Sequence, residues 1–397
     1  MFTGSRADYG PLLALIHALE DDPEIELSLI VSGGHLVADQ GMTVRQIEAD
    51  GFRIDERVEM VLASDTATGA AKSFALGVIG CAEALDRVGP DLLILLGDRY
   101  EALAAAVTAS MRLLPIAHIS GGELSYGSTD DSARHAITKL AHLHFTANEE
   151  FRQRVIQMGE RPETVHSTGV PSLDTIRSAP LLGRPELERR IGMELRDPVI
   201  VVTYHPATAD PDGSRDGLVG LLTALDRVPD ASVVFTATNV DRDGSSVAAA
   251  IRAYGLRHAS RVSVVSSLGQ TGYLSLVKQA AMVVGNSSSG LVEAPALQTP
   301  TVNIGTRQDG RPRATSVIDC GEQAEEIESA IRLALTPGHQ ALARSAVSPF
   351  GDGRAAARIV AIVKNVELGS LQPKTFADRG CESVNRPGGQ PRRGLPA

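Results

Sequence analysis

The chain has 397 residues, of which 43% are hydrophobic and 22% charged, and its formal net charge is −10. That length fits two domains, each able to bury its own core. The acidic balance argues against nucleic acid or an anionic membrane surface as a general partner. Trp is absent and aromatic residues make up 4%, so aromatic stacking platforms are disfavoured as well. Three cysteines without a CxxC spacing indicate a reduced, cytoplasmic protein with no structural metal site. No apolar run reaches membrane-spanning length, and the opening MFTGSRADYG lacks the pattern of a signal peptide.

In chain order, Ile25–Val31 reads as a strand and Lys72–Val88 as a helix. Asp91–Leu96 is a short continuous apolar run of the buried parallel-strand kind, ending in Gly97-Asp98-Arg99. An Ala-rich helix follows from Tyr100 to Arg112. Pro115–Ile119 is the next strand, ending in Gly121-Gly122-Glu123. Asp130–Ala141 has helical spacing with acidic residues at its start, where the helix dipole favours them. Strands at Leu143–Thr146 and Thr164–Thr168 complete this half, with a domain boundary expected near Pro171.

The pattern then restarts. Val199–Thr203 is a strand ending in Tyr204-His205-Pro206. Strands at Ser232–Thr236, Val262–Val265, Met282–Gly285 and Pro300–Ile304 alternate with helices. Met282–Gly285 runs into Asn286-Ser287-Ser288-Ser289-Gly290 and a helix to about Leu297. Repeated βα alternation implies parallel sheets covered by helices. The expected fold is therefore α/β, with two doubly wound Rossmann-like domains facing across a cleft: 1–171 and 172–350. Helix 351–366 is expected to return to the first domain. Residues 367–397, rich in Pro, Gly and Arg, read as a disordered tail.

Ligands bind such sheets at the carboxyl ends of strands. Every unusual motif here, GDR, GGE, YHP and NSSSG, follows a predicted strand. The Ser287–Gly290 loop suits a phosphate through backbone N–H groups and hydroxyls, and equally suits an ordinary Ser cap. Glu293 can reach a ribose diol or close a capping box. Thr3–Gly10 is a second strand-to-helix loop, with Arg6 for a phosphate, though it also fits a surface turn. Asp98, Glu123 and Asp130, with Asp131 adjoining, stand at or after successive strand ends. Clustered carboxylates repel, which raises a pKa and creates an acid or base. Singly, each also fits a helix cap or a pair with Arg99 or Arg134. His205 can contact a phosphate, donate a proton, or simply occupy a turn. His118 and His144 alternate with apolar residues in strands and read as structural.

Taken together, TGSRADYG (Thr3–Gly10), GDR (Gly97–Arg99), HISGGE (His118–Glu123) and DDSARHAITKLAHLHF (Asp130–Phe145) resemble the UDP-N-acetylglucosamine 2-epimerases. So do YHP (Tyr204–Pro206), GNSSSG (Gly285–Gly290) and PTVNIGTRQDGR (Pro300–Arg311). The likeness is to the hydrolysing branch of bacterial sialic- and legionaminic-acid pathways. It implies a GT-B-like fold with a UDP-sugar in the cleft and no cofactor. It further implies anti-elimination of UDP to a 2-acetamidoglucal, followed by hydration to the C2-inverted free sugar. By that resemblance Asp98, Glu123 and Asp130 are the catalytic acids. Arg6, His205, Ser287, Ser288, Ser289 and Gly290 form the phosphate side, and Glu293 the ribose contact. Asn239 and Arg311 are expected near the uridine. Asp8, Arg99, Asp131 and Arg134 are expected to support or touch the sugar. A homo-oligomer, dimer or tetramer, is implied in the same way. One departure stands out: only Met1-Phe2 precede TGSRADYG, short for the first strand of a parallel sheet. Two expectations follow: either the start was assigned too late, or a central strand is truncated and the Arg6 loop weakened. A second departure is Ser120, with Leu124–Thr129 after it, at positions expected to face the sugar.

Overall fold

The structure is a computed structural model; it describes residues 1–64, 66–125, 130–205, 213–236, 244–266 and 268–378. The strands are β1 (Phe2–Thr3), β2 (Ile30–Ser32), β3 (Glu56–Val58), β4 (Leu93–Leu96), β5 (Ile116–Ile119), β6 (Leu143–Thr146) and β7 (Val165–Ser167). The second half contributes β8 (Val199–Thr203), β9 (Ser232–Thr236), β10 (Val262–Val265), β11 (Met282–Gly285), β12 (Thr301–Ile304) and β13 (Val317–Cys320). Every paired strand runs parallel to its neighbour.

The second sheet has the order β10-β9-β8-β11-β12-β13. In the first half β1-β2-β3 and β4-β5-β6-β7 form two ladders, and β1 lies beside β4. Both halves thus wind outward in both directions from a central pair of strands, β1 with β4 and β8 with β11. Strand order reverses at those pairs, which opens a crevice at their carboxyl ends. The strands are apolar throughout because helices cover both faces: Val199–Val202 in β8 are fully buried. The two-domain, GT-B-like α/β fold is therefore the observed one.

Several elements depart from the sequence reading. Strand Ile25–Val31 shortens to β2, because β1 is two residues long and Ile25–Leu29 have no ladder partner on that side. β1 nevertheless forms, with Phe2 opposite Ile30 and Thr3 opposite Val31. Next to Met1 lies a cavity of about 830 Å³, bounded by Leu27, Ser28, Asp91, Leu92, Val363 and Lys364. The Met1 ammonium donates to the Ser28 carbonyl at 2.6 Å. Burial pushes its pKa down to about 5, against the opposing charge of Asp55. β3 and β13 were not expected; they are short edge strands with mixed polarity, and only Val58 among their residues is deeply buried.

Near the expected boundary, helix Pro171–Ser178 packs on helices Arg6–Glu20 and Ala355–Asn365. The Asp174 carboxylate caps the latter, accepting from the N–H groups of Ala355 and Ala356 at 2.9 and 3.0 Å. Ala355, Ala356, Ile359 and Val360 join the first-domain core with Leu12 and Ile16.

The tail requires a correction. Residues 367–378 lie against the first domain rather than forming part of a disordered stretch. Leu371 is buried, Lys374 pairs with Glu160 at 2.6 Å, and Ala377 N–H donates to Gly159 O at 2.9 Å. Phe376 covers Gly159, and Lys139 stands over its ring at 5.0 Å. Isolated anchors of this kind leave no periodicity to read. Residues 379–397 lie outside the described residues, as do Asn239, Pro206 and the 126–129 part of the loop after Glu123.

Candidate active site

The first-domain side is assembled by one side chain, Arg134. It lies on helix Asp130–Leu140 and is 2% exposed. Its Nη2 pairs with Asp98 at the exit of β4 and donates to Ser125 Oγ at 3.0 Å. Its Nη1 donates to the Glu123 carbonyl at 2.9 Å and to Asp131 Oδ1 at 3.0 Å. A planar guanidinium with five fixed donors suits this convergence. Asp131 also accepts from Ser125 N–H at 2.8 Å and faces His135 at 3.3 Å. Arg134 and Asp131 therefore shape the site, and sequence reading underweighted the arginine.

Glu123 is buried. Burial pushes its carboxyl pKa up, while the charges of Arg311 and Arg134 pull down and Asp98 pushes up. Ser120 supports it by a hydrogen bond from a left-handed backbone conformation, φ +65°. A non-glycine residue held there is unusual and concentrates at functional sites. Asp130, in contrast, is exposed at the start of its helix. The structure thus brings Asp98 and Glu123 together around Arg134 and leaves Asp130 at the rim.

The Thr3–Gly10 loop differs from expectation. The helix already begins at Arg6, with Ser5 as its cap, so Arg6 stands exposed on the first turn. Asp8 turns inward, accepting from Gly4 N–H at 3.1 Å and Ser5 Oγ at 3.3 Å. These contacts brace the loop. Arg99 is likewise engaged, forked onto the buried Glu101 at 3.2 and 2.8 Å. Gly4 and Gly33 permit this packing: a Cβ on Gly33, at φ +57°, would sit 2.5 Å from Gly4 O.

Burial raises the Asp8 pKa to about 7, against Arg99 and with Glu101. A raised carboxyl pKa favours folding at low pH, and that contribution is lost as pH rises from the usual 3.8 through about 7. Asp8→Asn is therefore expected to raise the thermal midpoint relative to native protein more at pH 8 than at pH 5. Melting curves at both values check this; an equal offset at the two would contradict it.

On the second-domain side, Asn286 ends β11 and clasps His205. His205 N–H donates to Asn286 Oδ1 at 2.7 Å, and Asn286 Nδ2 donates to His205 O at 2.8 Å. Asn286 O accepts from Arg307 Nη1 at 3.0 Å and Gln308 Nε2 at 2.9 Å. Gly285, at φ +139°, admits no side chain, since a Cβ would meet Thr203 O at 2.0 Å. Asn286, Arg307 and Gln308 fall inside motifs read from the sequence but were given no role of their own there; the signal available was the asparagine heading the serine run.

Burial holds His205 down at about 4, and Arg307 adds to the effect. At neutral pH it is an uncharged imidazole, so it can hydrogen-bond to a phosphate but does not bring positive charge. The Ser287–Gly290 loop is a further correction. It opens a 3-10 turn, Ser288–Gly290, and then a helix of one turn, Glu293–Ala296, so no long helix dipole points at it. Ser289 Oγ meets Tyr273 Oη at 2.6 Å. Glu293 stands near it, its pKa raised by burial and opposed by Ser289 and Arg311.

The two sides meet at Arg311. Its charge acts on Glu123 in the first domain and on Glu293 in the second. Among the described residues no group of three His, Cys, Asp or Glu side chains is arranged to hold a metal. No helix among them is long and apolar enough to cross a membrane.

Residues 17–364 match the family described as UDP-N-acetylglucosamine 2-epimerase. The chain belongs to the UDP-N-acetylglucosamine 2-epimerase family. This family member is 35% identical over 317 residues to the GDP/UDP-N,N'-diacetylbacillosamine 2-epimerase (hydrolyzing) of Campylobacter jejuni, covering 80% of this chain and 82% of that one. It is 33% identical to the UDP-N,N'-diacetylbacillosamine 2-epimerase (hydrolyzing) of Legionella pneumophila, covering 93% and 96%. Its fold is like that of the Neisseria meningitidis UDP-GlcNAc 2-epimerase solved with UDP-GlcNAc, with TM-score 0.79, 17% identity and coverage of 92% and 99%. The epimerase is thus an enzyme whose fold and relatives agree.

Proposed function

We propose that this epimerase hydrolyses a UDP-2-acetamido sugar to UDP and the C2-inverted free sugar, with UDP-GlcNAc giving ManNAc. The observation that carries it is the buried Glu123, raised in pKa beside Asp98 and Arg134, with the charge of Arg311 acting on both it and Glu293. In the first step Glu123 takes the C2 proton. The C2–H electron pair becomes the C1=C2 bond, and the C1–O bond breaks with its pair leaving on UDP. A positioned base with a raised pKa matches this weakly acidic proton. Ser287, Ser288, Ser289 and the neutral His205 hydrogen-bond the departing diphosphate, and Arg6 and Arg307 supply charge. In the second step water adds across the double bond, its proton to C2 and its hydroxyl to C1, and Glu123 releases the proton it took to solvent and is ionised again.

A second substrate is favoured by the two relatives named for diacetylbacillosamine: the UDP-2,4-diacetamido-2,4,6-trideoxy sugar. The test is incubation of each sugar in deuterated water. The expected result is free UDP with deuterium at C2 of the inverted free sugar, and the faster sugar is the substrate. UDP release with protium retained at C2, or release from neither sugar, overturns the proposal.

A further inference from the structure

His118, on β5, is fully buried and has no part in the proton transfers proposed above. It nevertheless touches three segments at once. Its Nε2 lies 2.7 Å from the carbonyl of Gly97, the residue before Asp98. Its Nδ1 lies 3.2 Å from Thr138 Oγ1, one helical turn after Arg134. Gly121, two residues before Glu123, rests on both: a Cβ there would sit 3.1 Å from His118 Nδ1 and 3.1 Å from Thr138 Oγ1.

We infer that His118 is the positioning residue that sets Asp98, Glu123 and Arg134 relative to one another. The inference rests on the reading above that those carboxylates move the protons. Its chemistry follows from its partners. A carbonyl only accepts, so Nε2 carries the hydrogen and the bare Nδ1 faces the Thr138 hydroxyl, whose single hydrogen is shared between it and the Arg134 carbonyl at 3.0 Å. Burial holds the imidazole down at about 3, with the Gly97 carbonyl opposing, so this tautomer persists across the working pH range. The turn at Gly97, φ +77°, is thereby tied to the helix that carries Arg134. Groups outside the reacting set that fix its geometry commonly matter about 10–100-fold.

The experiment compares His118→Leu, His118→Gln and Thr138→Val with native enzyme. His118→Leu is expected to lower kcat roughly 10–100-fold with KM for the UDP-sugar nearly unchanged. His118→Gln, which keeps a donor for the Gly97 carbonyl, is expected to recover much of that loss. Thr138→Val is expected to lower kcat without raising KM, and it decides the matter if His118→Leu does not fold. A folded His118→Leu with native kcat, or a Thr138→Val enzyme with native kcat, overturns the inference. Hydrogen exchange provides the arm independent of turnover. Segments 97–99, 120–125 and 131–138 should exchange faster in the variants, and unchanged exchange there overturns positioning. Should native enzyme turn over no UDP-sugar, the proposed function fails while the exchange arm still judges His118.

Discussion

Glu123→Gln is expected to reduce UDP release by about 10²–10⁴-fold while leaving UDP binding intact, because removal of a positioned general base costs that much. The amide keeps the shape of the side chain and can still face Ser120 and Arg311, but it cannot take a proton. In native enzyme the base works ionised, and burial raises its pKa. Turnover should therefore fall as pH drops through that raised value, and the residual activity of Glu123→Gln should lack this limb. Steady-state assays of UDP release across pH, with calorimetric titration of UDP, check both parts. A variant with near-native turnover would assign the proton transfer elsewhere, Asp98 being the next group in line.

Arg134→Met is expected to have the largest effect on stability. The substitution leaves Asp98, Asp131, Ser125 and the Glu123 carbonyl without their shared donor. Removing one partner of a buried pair costs about 3–5 kcal/mol, because the remaining charge is left unpaired. For a domain of this size that is a fall of roughly 10 °C in thermal midpoint, and calorimetry reads it directly. Arg134→Lys should recover only part of it, since one ammonium cannot span four acceptors. A midpoint unchanged in Arg134→Met would show that the carboxylates find other partners or water.

Much of this architecture is legible in the chain itself. Continuous apolar runs such as Leu93–Leu96 and Val199–Thr203 can only be buried strands, and the motifs after them fall at strand ends. What escaped depends on contacts distant in sequence. Arg134 looks like one charge on a helix until Asp98, 36 residues earlier, closes on it. Asp8 and Arg99 are the exceptions: they looked available for ligand, and the partners that engage them, Gly4 and Glu101, are near neighbours in sequence. Tyr273, Arg307 and Gln308 become site residues only when their elements fold beside Asn286 and Ser289. Lys374 and Phe376 fall in a stretch without periodicity, and their partners, Glu160 and Gly159, lie over 200 residues away.

The clasp between Asn286 and His205 has a consequence for chemical ageing. An asparagine that precedes a serine, as Asn286 precedes Ser287, loses its amide when that side chain swings onto the next backbone nitrogen. Here both ends of the amide are held, Oδ1 by His205 N–H and Nδ2 by His205 O, and Arg307 and Gln308 hold the Asn286 carbonyl. Conversion to aspartate would set a carboxylate oxygen against the His205 carbonyl, two acceptors with no hydrogen between them. The same contacts that place the loop after β11 therefore also guard its first residue.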